Sequence, residues 1–236
     1  MYGYGYYGFD WTYILVLIGA VASLMASAKV NATFSRFARV RSKTGLTGAQ
    51  AAREILNQNG LEYVAIEHVP GKLSDHYDPS SQILRLSDST YGSTSVAAIG
   101  VAAHECGHAI QHKEEYGPLK LRSAIVPAAN IGSRLGLPIV ILGVILAYNA
   151  FLIQLGIWVF SLAVLFQIVT LPVEFDASRR ALLLVEDYGI LDHQEEQQVK
   201  KVLSAAAMTY VAAAAASVLQ ILRLIILFGG GGRRRD

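Results

Sequence analysis

Charge and cysteine are both scarce in this chain. Only 16% of its 236 residues are Asp, Glu, Lys or Arg, against 53% hydrophobic. A soluble domain carries roughly a quarter charged residues, so the balance argues against a soluble globule. The single cysteine, Cys106, excludes an intrachain disulfide and fits a reducing compartment. No lysine or arginine precedes Lys29, so the lead MYGYGYYGFDW lacks the charged n-region of a secretory signal peptide; it reads as an interfacial aromatic belt. The net charge of +2 says little beside the placement of the charges, and no nucleic-acid partner is expected. No internal repeat is evident.

The apolar content sits in runs. Thr12 to Ala28 is almost wholly apolar, at the short end of what a helix needs to cross a bilayer. Lys29, Arg36, Arg39, Arg41 and Lys43 crowd just past it, as on a cytoplasmic flank. Residues 1–28 are therefore expected to form a transmembrane anchor with its N-terminus outside. Residues 29–134 read as the first part of a catalytic domain. Thr47-Gly-Ala-Gln50 is a capping box ahead of a helix to Gln58, which Asn59-Gly60 stops. Leu61–Val69 reads as a strand broken by Pro70-Gly71, and a second strand at Gln82–Ser87 follows the turn-rich Asp75–Ser81. An exposed edge strand there offers an extended peptide a place to add.

Residues 135–172 are interrupted only by Asn149, Gln154, Gly156 and Gln167. Their length fits two spans, Leu135–Leu152 and Leu155–Leu171, folded as a hairpin between Arg134 and the pair Arg179 and Arg180, which returns the chain to the basic side. Residues 173–201 then complete the catalytic domain. The alanine-rich stretch 202–228 carries Arg223 and reads either as a fourth span or as a packed domain helix. Spanning would place Arg233, Arg234 and Arg235 outside, against the positive-inside tendency. Residues 229–236 are expected to be a flexible basic tail.

The chemistry lies in His104-Glu105-Cys106-Gly107-His108, within a helix expected to start near Ser93 and run to about Lys113. Residues four apart share a helical face, so both imidazoles reach one metal ion while Glu105 serves as general base. Zinc suits the set, because it accepts two histidines and a carboxylate and keeps a position open for water. The small apolar run Ser95–Ala103 ahead of the motif makes these polar side chains otherwise costly to bury. Cys106, two residues from His104, points to another face and reads as small-residue packing.

A third ligand is needed. The metzincin solution places a glycine at position 111 and a histidine at 114, where this chain has Gln111 and Glu114. Gln111–Tyr116 is also too polar for a motif buried at membrane depth, as in site-2-type intramembrane proteases. A glutamate from a later helix, the gluzincin solution, remains, and Glu174 directly follows the hairpin. Asp176 accompanies it. His76 and Tyr77 are candidates for stabilising an oxyanion from the turn before the second strand. His112 can approach the metal face but reads more readily as a solvated or hydrogen-bonded side chain. Arg180 and Arg179 are candidates for the tetrahedral intermediate or for headgroup anchors. His68 and His193 read as surface residues.

His104-Glu-Cys-Gly-His108, the hairpin, and Pro172-Val-Glu174-Phe-Asp176-Ala-Ser-Arg-Arg180 resemble the YugP-type family of bacterial membrane zinc metallopeptidases. The resemblance covers nearly the whole chain, including Asp75-His-Tyr-Asp78 and Leu203–Val211, and the organisation is similar to HtpX-type proteases. It implies one catalytic zinc held by His104, His108 and Glu174. Those relatives and thermolysin have an aspartate four residues after the glutamate; this chain has Ser178 there, with Asp176 two residues after.

The expected fold is a mainly α membrane protein: a gluzincin-like zinc metalloprotease domain of helices plus a small β-sheet, with three or four transmembrane helices. The expected function is a multi-pass zinc endopeptidase of the cell membrane whose catalytic part faces the cytoplasm. Its partners would be a protein or peptide substrate and the bilayer, with a homo-oligomer or membrane partner left open. The alternative is a non-catalytic scaffold or chaperone-like protein with a structural zinc, which needs a fourth protein ligand such as His112 or Asp176.

Overall fold

The structure is a computed structural model that describes residues 10–229. Most of the aromatic lead and the tail beyond Gly229 lie outside the described residues. The elements in chain order are α1 (Tyr13–Phe37), α2 (Gly48–Gln58), β1 (Ala65–Val69), β2 (His76–Asp78), β3 (Ile83–Ser87), α3 (Val96–Lys113), α4 (Gly117–Ile145), α5 (Ala150–Asp187) and α6 (His193–Phe228). The protein is mainly helical, as expected, with one three-stranded sheet ordered β1-β3-β2.

Helix ends follow the local chemistry. Thr47 and Gln50 form the reciprocal capping box of α2. Ser95 caps α3, its hydroxyl accepting from the Ala98 N–H at 3.2 Å, two residues later than the expected start. Asp192 and Glu195 form a second capping box that launches α6 from the middle of a stretch read only as polar. The 82–87 strand is not an edge: β3 pairs in parallel with β1 and antiparallel with β2, so β2, inside the turn-rich stretch, is the edge that faces α3.

Helices α1, α4, α5 and α6 are each long and apolar enough to cross a membrane. At 1.5 Å per residue, the 38 residues of α5 reach about 57 Å, well beyond a hydrocarbon core of about 30 Å. The excess length enters the folded domain. Ala181 and Val185 of α5, Val199, Val202 and Leu203 of α6, and Phe34 and Phe37 of α1 join the domain core around α2, the sheet and α3. At the other ends, Val140, Ile153, Ile157, Phe160, Val164 and Leu224 form a separate apolar cluster. Leu17, Leu24, Ile141, Phe151, Trp158 and Ile225 point outward from the spans, where lipid is the fitting solvent.

The spans pack on glycine. A Cβ on Gly136 would lie 2.6 Å from that of Phe160, and one on Gly132 would lie 2.6 Å from the Val159 carbonyl oxygen. The hairpin turn falls at Leu146–Asn149, ahead of the 152–155 break expected from the sequence. Gly156 is thus inside α5, packed on Val140. Arg223 does not prevent α6 from being a candidate span. Its guanidinium meets Asp10 at 3.2 Å and the Thr12 hydroxyl at 3.2 Å, at the far end of α1, and lies over the Tyr13 ring.

Candidate metal centre

Helix α3 presents His104 and His108 one turn apart, their rings 4.8 Å between centroids and edge to face. Gly107 lets α3 approach the backbone of α5 closely, since a Cβ there would lie 2.8 Å from the Ala177 carbonyl oxygen. The crossing places Glu174, 2% exposed, opposite both rings. Its Oε2 lies 3.3 Å from Nε2 of His104 and 3.6 Å from Nε2 of His108. Ligands about 2.0–2.1 Å from a tetrahedral ion stand roughly 3.3–3.4 Å apart, so the two Glu174–histidine spacings are close to edges of such a site.

The protonation pattern agrees. Gln111 is fully buried, and its amide nitrogen donates to the Val173 carbonyl and to Asp176 Oδ2, both at 2.9 Å. Its oxygen therefore faces His108 Nδ1, 3.0 Å away, which must carry the proton. Ser178 Oγ sits 3.2 Å from His104 Nδ1 and can accept in the same way. Both Nε2 lone pairs then face Glu174 Oε2, a buried oxygen with no hydrogen-bond partner. Converging lone pairs in a buried site repel unless a proton or a metal ion lies between them, so the donor set fits a metal such as zinc.

Arg122, from α4, donates to Glu174 Oε1 at 3.2 Å. Glu105 accepts the Tyr77 backbone N–H at 3.0 Å through Oε2. A cavity of about 230 Å³ opens onto His104, Glu105, Glu174, Ser178 and Tyr210, whose phenol stands beside Glu174. Burial disfavours a charged His108, but Glu174 and Glu105 outweigh it and raise its pKa.

The other expected residues fall around this group. Tyr77 contributes its backbone; its hydroxyl bonds His112 Nδ1 at 3.0 Å. Burial pushes the Tyr77 phenol up to about 12, so it stays protonated at neutral pH. His76 is exposed and bonds the Ser74 carbonyl at 2.9 Å, away from the three donors. Arg180 binds Asp176 at 2.6 Å and Glu114 at 2.7 Å, and Arg179 binds the other Asp176 oxygen at 2.7 Å. Asp176 reaches the centre only through Gln111. Arg122, Gln111 and Tyr210 were not singled out from the sequence. Of these, only Gln111 had a local signal, three residues past His108 and hence on its face.

A mainly helical membrane protein with a largely buried His-His-Glu group that could hold a metal ion is the class that fold and site define. The chain matches the family described as "putative neutral zinc metallopeptidase" across residues 12–229, and it belongs to that family. It is 47% identical over 184 residues to the "putative membrane protease YugP" of Bacillus subtilis (strain 168), covering 78% of this chain and 81% of that relative. No solved structure matches it.

Proposed function

We propose that the protein is a membrane-anchored zinc endopeptidase that cuts protein or peptide substrates at the cytoplasmic membrane surface. The observation that carries the reading is the spacing of Glu174 from His104 and His108, close to tetrahedral edges, beside Glu105. One zinc ion, when bound, supplies a Lewis acid for the scissile carbonyl and acidifies a water. Glu105, with one oxygen held by the Tyr77 N–H, uses the other to take the water's proton and then delivers it to the leaving amine. Ser178 and Gln111 hold the two imidazoles in the tautomer that faces the metal. Tyr210, rather than His76 or the Tyr77 hydroxyl, is placed to donate to the developing oxyanion.

The cations at the domain end of α1, Lys29 to Lys43, support a cytoplasmic domain. Against the structural-zinc alternative, His112 bonds Tyr77 through Nδ1 and stands outside the His104, His108 and Glu174 group, and Asp176 is engaged by Gln111, Arg179 and Arg180.

The test is Glu105→Gln in detergent-solubilised protein, which should retain zinc and lose casein cleavage by about 10³-fold or more. Tyr210→Phe should keep KM and lose roughly 10²-fold in kcat. Undiminished cleavage by the Glu105 variant would remove the mechanism.

A further inference from the structure

On the side of α1 and α6 away from the candidate metal group, the two helices line an open cavity of about 550 Å³. From α1 it is lined by Lys29, Thr33 and Arg36, at spacings of four and three that share one helical face. Lys200, Lys201 and Met208 line it from α6. The helices run antiparallel, with Gly19 against Ala216 and Asp10 against Arg223, so the cations of α1 and α6 face one another.

No Asp or Glu lines the cavity, and among the described residues none of its four cations makes an ion pair. Cations at the domain ends of the other two spans are paired: Lys120 with Glu115, Arg122 with Glu174, and Arg179 and Arg180 with Asp176. All four cations are exposed, and with no carboxylate between them their like charges make the cavity complementary to an anion. The cavity also lies at the edge of the apolar surface. Leu24 and Met25 are exposed just before Lys29, and Met208 is exposed where the outward apolar face of α6 begins.

We propose that this cavity binds the phosphate-bearing headgroup of an anionic glycerophospholipid from the adjoining leaflet. Lys29, Arg36, Lys200 and Lys201 hold the phosphate, and the exposed Met208, on the membrane side of them, receives the glycerol and upper acyl chain. A phosphate ester on an apolar stem is the ligand that satisfies both halves of the lining, and basic pockets between spans are a recurring way of holding such lipids. A free anion would satisfy only the cations. The site is independent of peptide hydrolysis and rests only on α1 and α6 crossing the membrane.

Native mass spectrometry of the full chain in nonionic detergent, with phosphatidylglycerol or phosphatidylcholine added, tests the assignment. The wild type should retain one phosphatidylglycerol with at least about tenfold preference. Lys200→Gln/Lys201→Gln should lose that preference, and Lys200→Arg/Lys201→Arg should keep it. Arg39→Gln/Arg41→Gln removes the same charge outside the cavity and should leave it unchanged. Absence of preference in the wild type overturns the proposal, as does equal loss in the Arg39/Arg41 variant. Displacement of the lipid by millimolar inorganic phosphate or glycerol phosphate replaces it with a soluble-anion site. If the double lysine variant does not fold, Lys29→Gln and the wild-type preference decide the matter.

Discussion

Gly107→Ala puts one methyl group at the contact that sets the metal geometry. Its Cβ would stand 2.8 Å from the Ala177 carbonyl oxygen, 3.2 Å from Ala177 Cα and 3.3 Å from the carbonyl carbon. Relieving the shortest contact to about 3.4 Å requires roughly 0.6 Å of separation, and backbone cannot rotate away as a side chain would. His104 and His108 flank Gly107 on α3, and Glu174 lies one turn before Ala177 on α5. The separation therefore passes directly into the 3.3 and 3.6 Å donor spacings. Metal–ligand distances tolerate only about 0.2 Å, so zinc affinity should fall about 10- to 100-fold. Stability should change less: overpacking costs about 1–3 kcal/mol, and replacing a mid-helix glycine with alanine returns up to about 1 kcal/mol. Competition against a chromophoric chelator reads the affinity, and melting with and without zinc separates the two effects. Zinc affinity within twofold of wild type would refute the argument that this crossing sets the site.

Gln111→Leu leaves the His108 Nδ1 proton without an acceptor, and zinc affinity should fall about 10- to 100-fold. Gln111→Glu should lose nearly as much, because its carboxylate still accepts from His108 but opposes Asp176 and the Val173 carbonyl with another acceptor; chelator competition on both variants tests the relay. Burial and the neighbouring Glu105 push the Cys106 thiol up, so it carries no thiolate at neutral pH. Maleimide should label Cys106 only after unfolding, and fast native labelling would contradict its packing role. Gly136→Leu should split α4 from α5 and sharply lower the monodisperse yield in size-exclusion chromatography, whereas Gly117→Ala, with nothing within 4 Å, should be neutral.

The motif helix and the apolar runs were legible because each is written locally, as a spacing or a composition, and Glu174 was legible as a carboxylate directly after the second apolar run. What was not legible depends on partners far away in the chain. Gly156 looks like an interruption until Val140 stands against it, while the actual hairpin turn puts Ala147 and Tyr148 at positive φ without a glycine or proline to announce it. Arg223 counts against a span only while Asp10 and Thr12 are unknown as its partners. The short β2 strand hides in a turn-rich stretch because it gains its pairing from β3.

The same distance effect governs the site. In the sequence the hairpin returns the chain to the side of the motif helix, so the site depends on the packing of the spans, and three of the four long helices contribute side chains to the candidate centre. Helix α5 continues unbroken from its apolar segment to Glu174, α4 supplies Arg122 to the second carboxylate oxygen, and α6 brings Tyr210 to the cavity. Glu174 is thus held by the packing of the candidate spans themselves. Loosening α4 from α5 should reach the zinc site without touching any ligand: in folded Gly136→Ala protein, zinc affinity should fall along with hairpin stability. Unchanged affinity in a protein with a measurably weakened hairpin would show that the domain core holds Glu174 without help from the membrane.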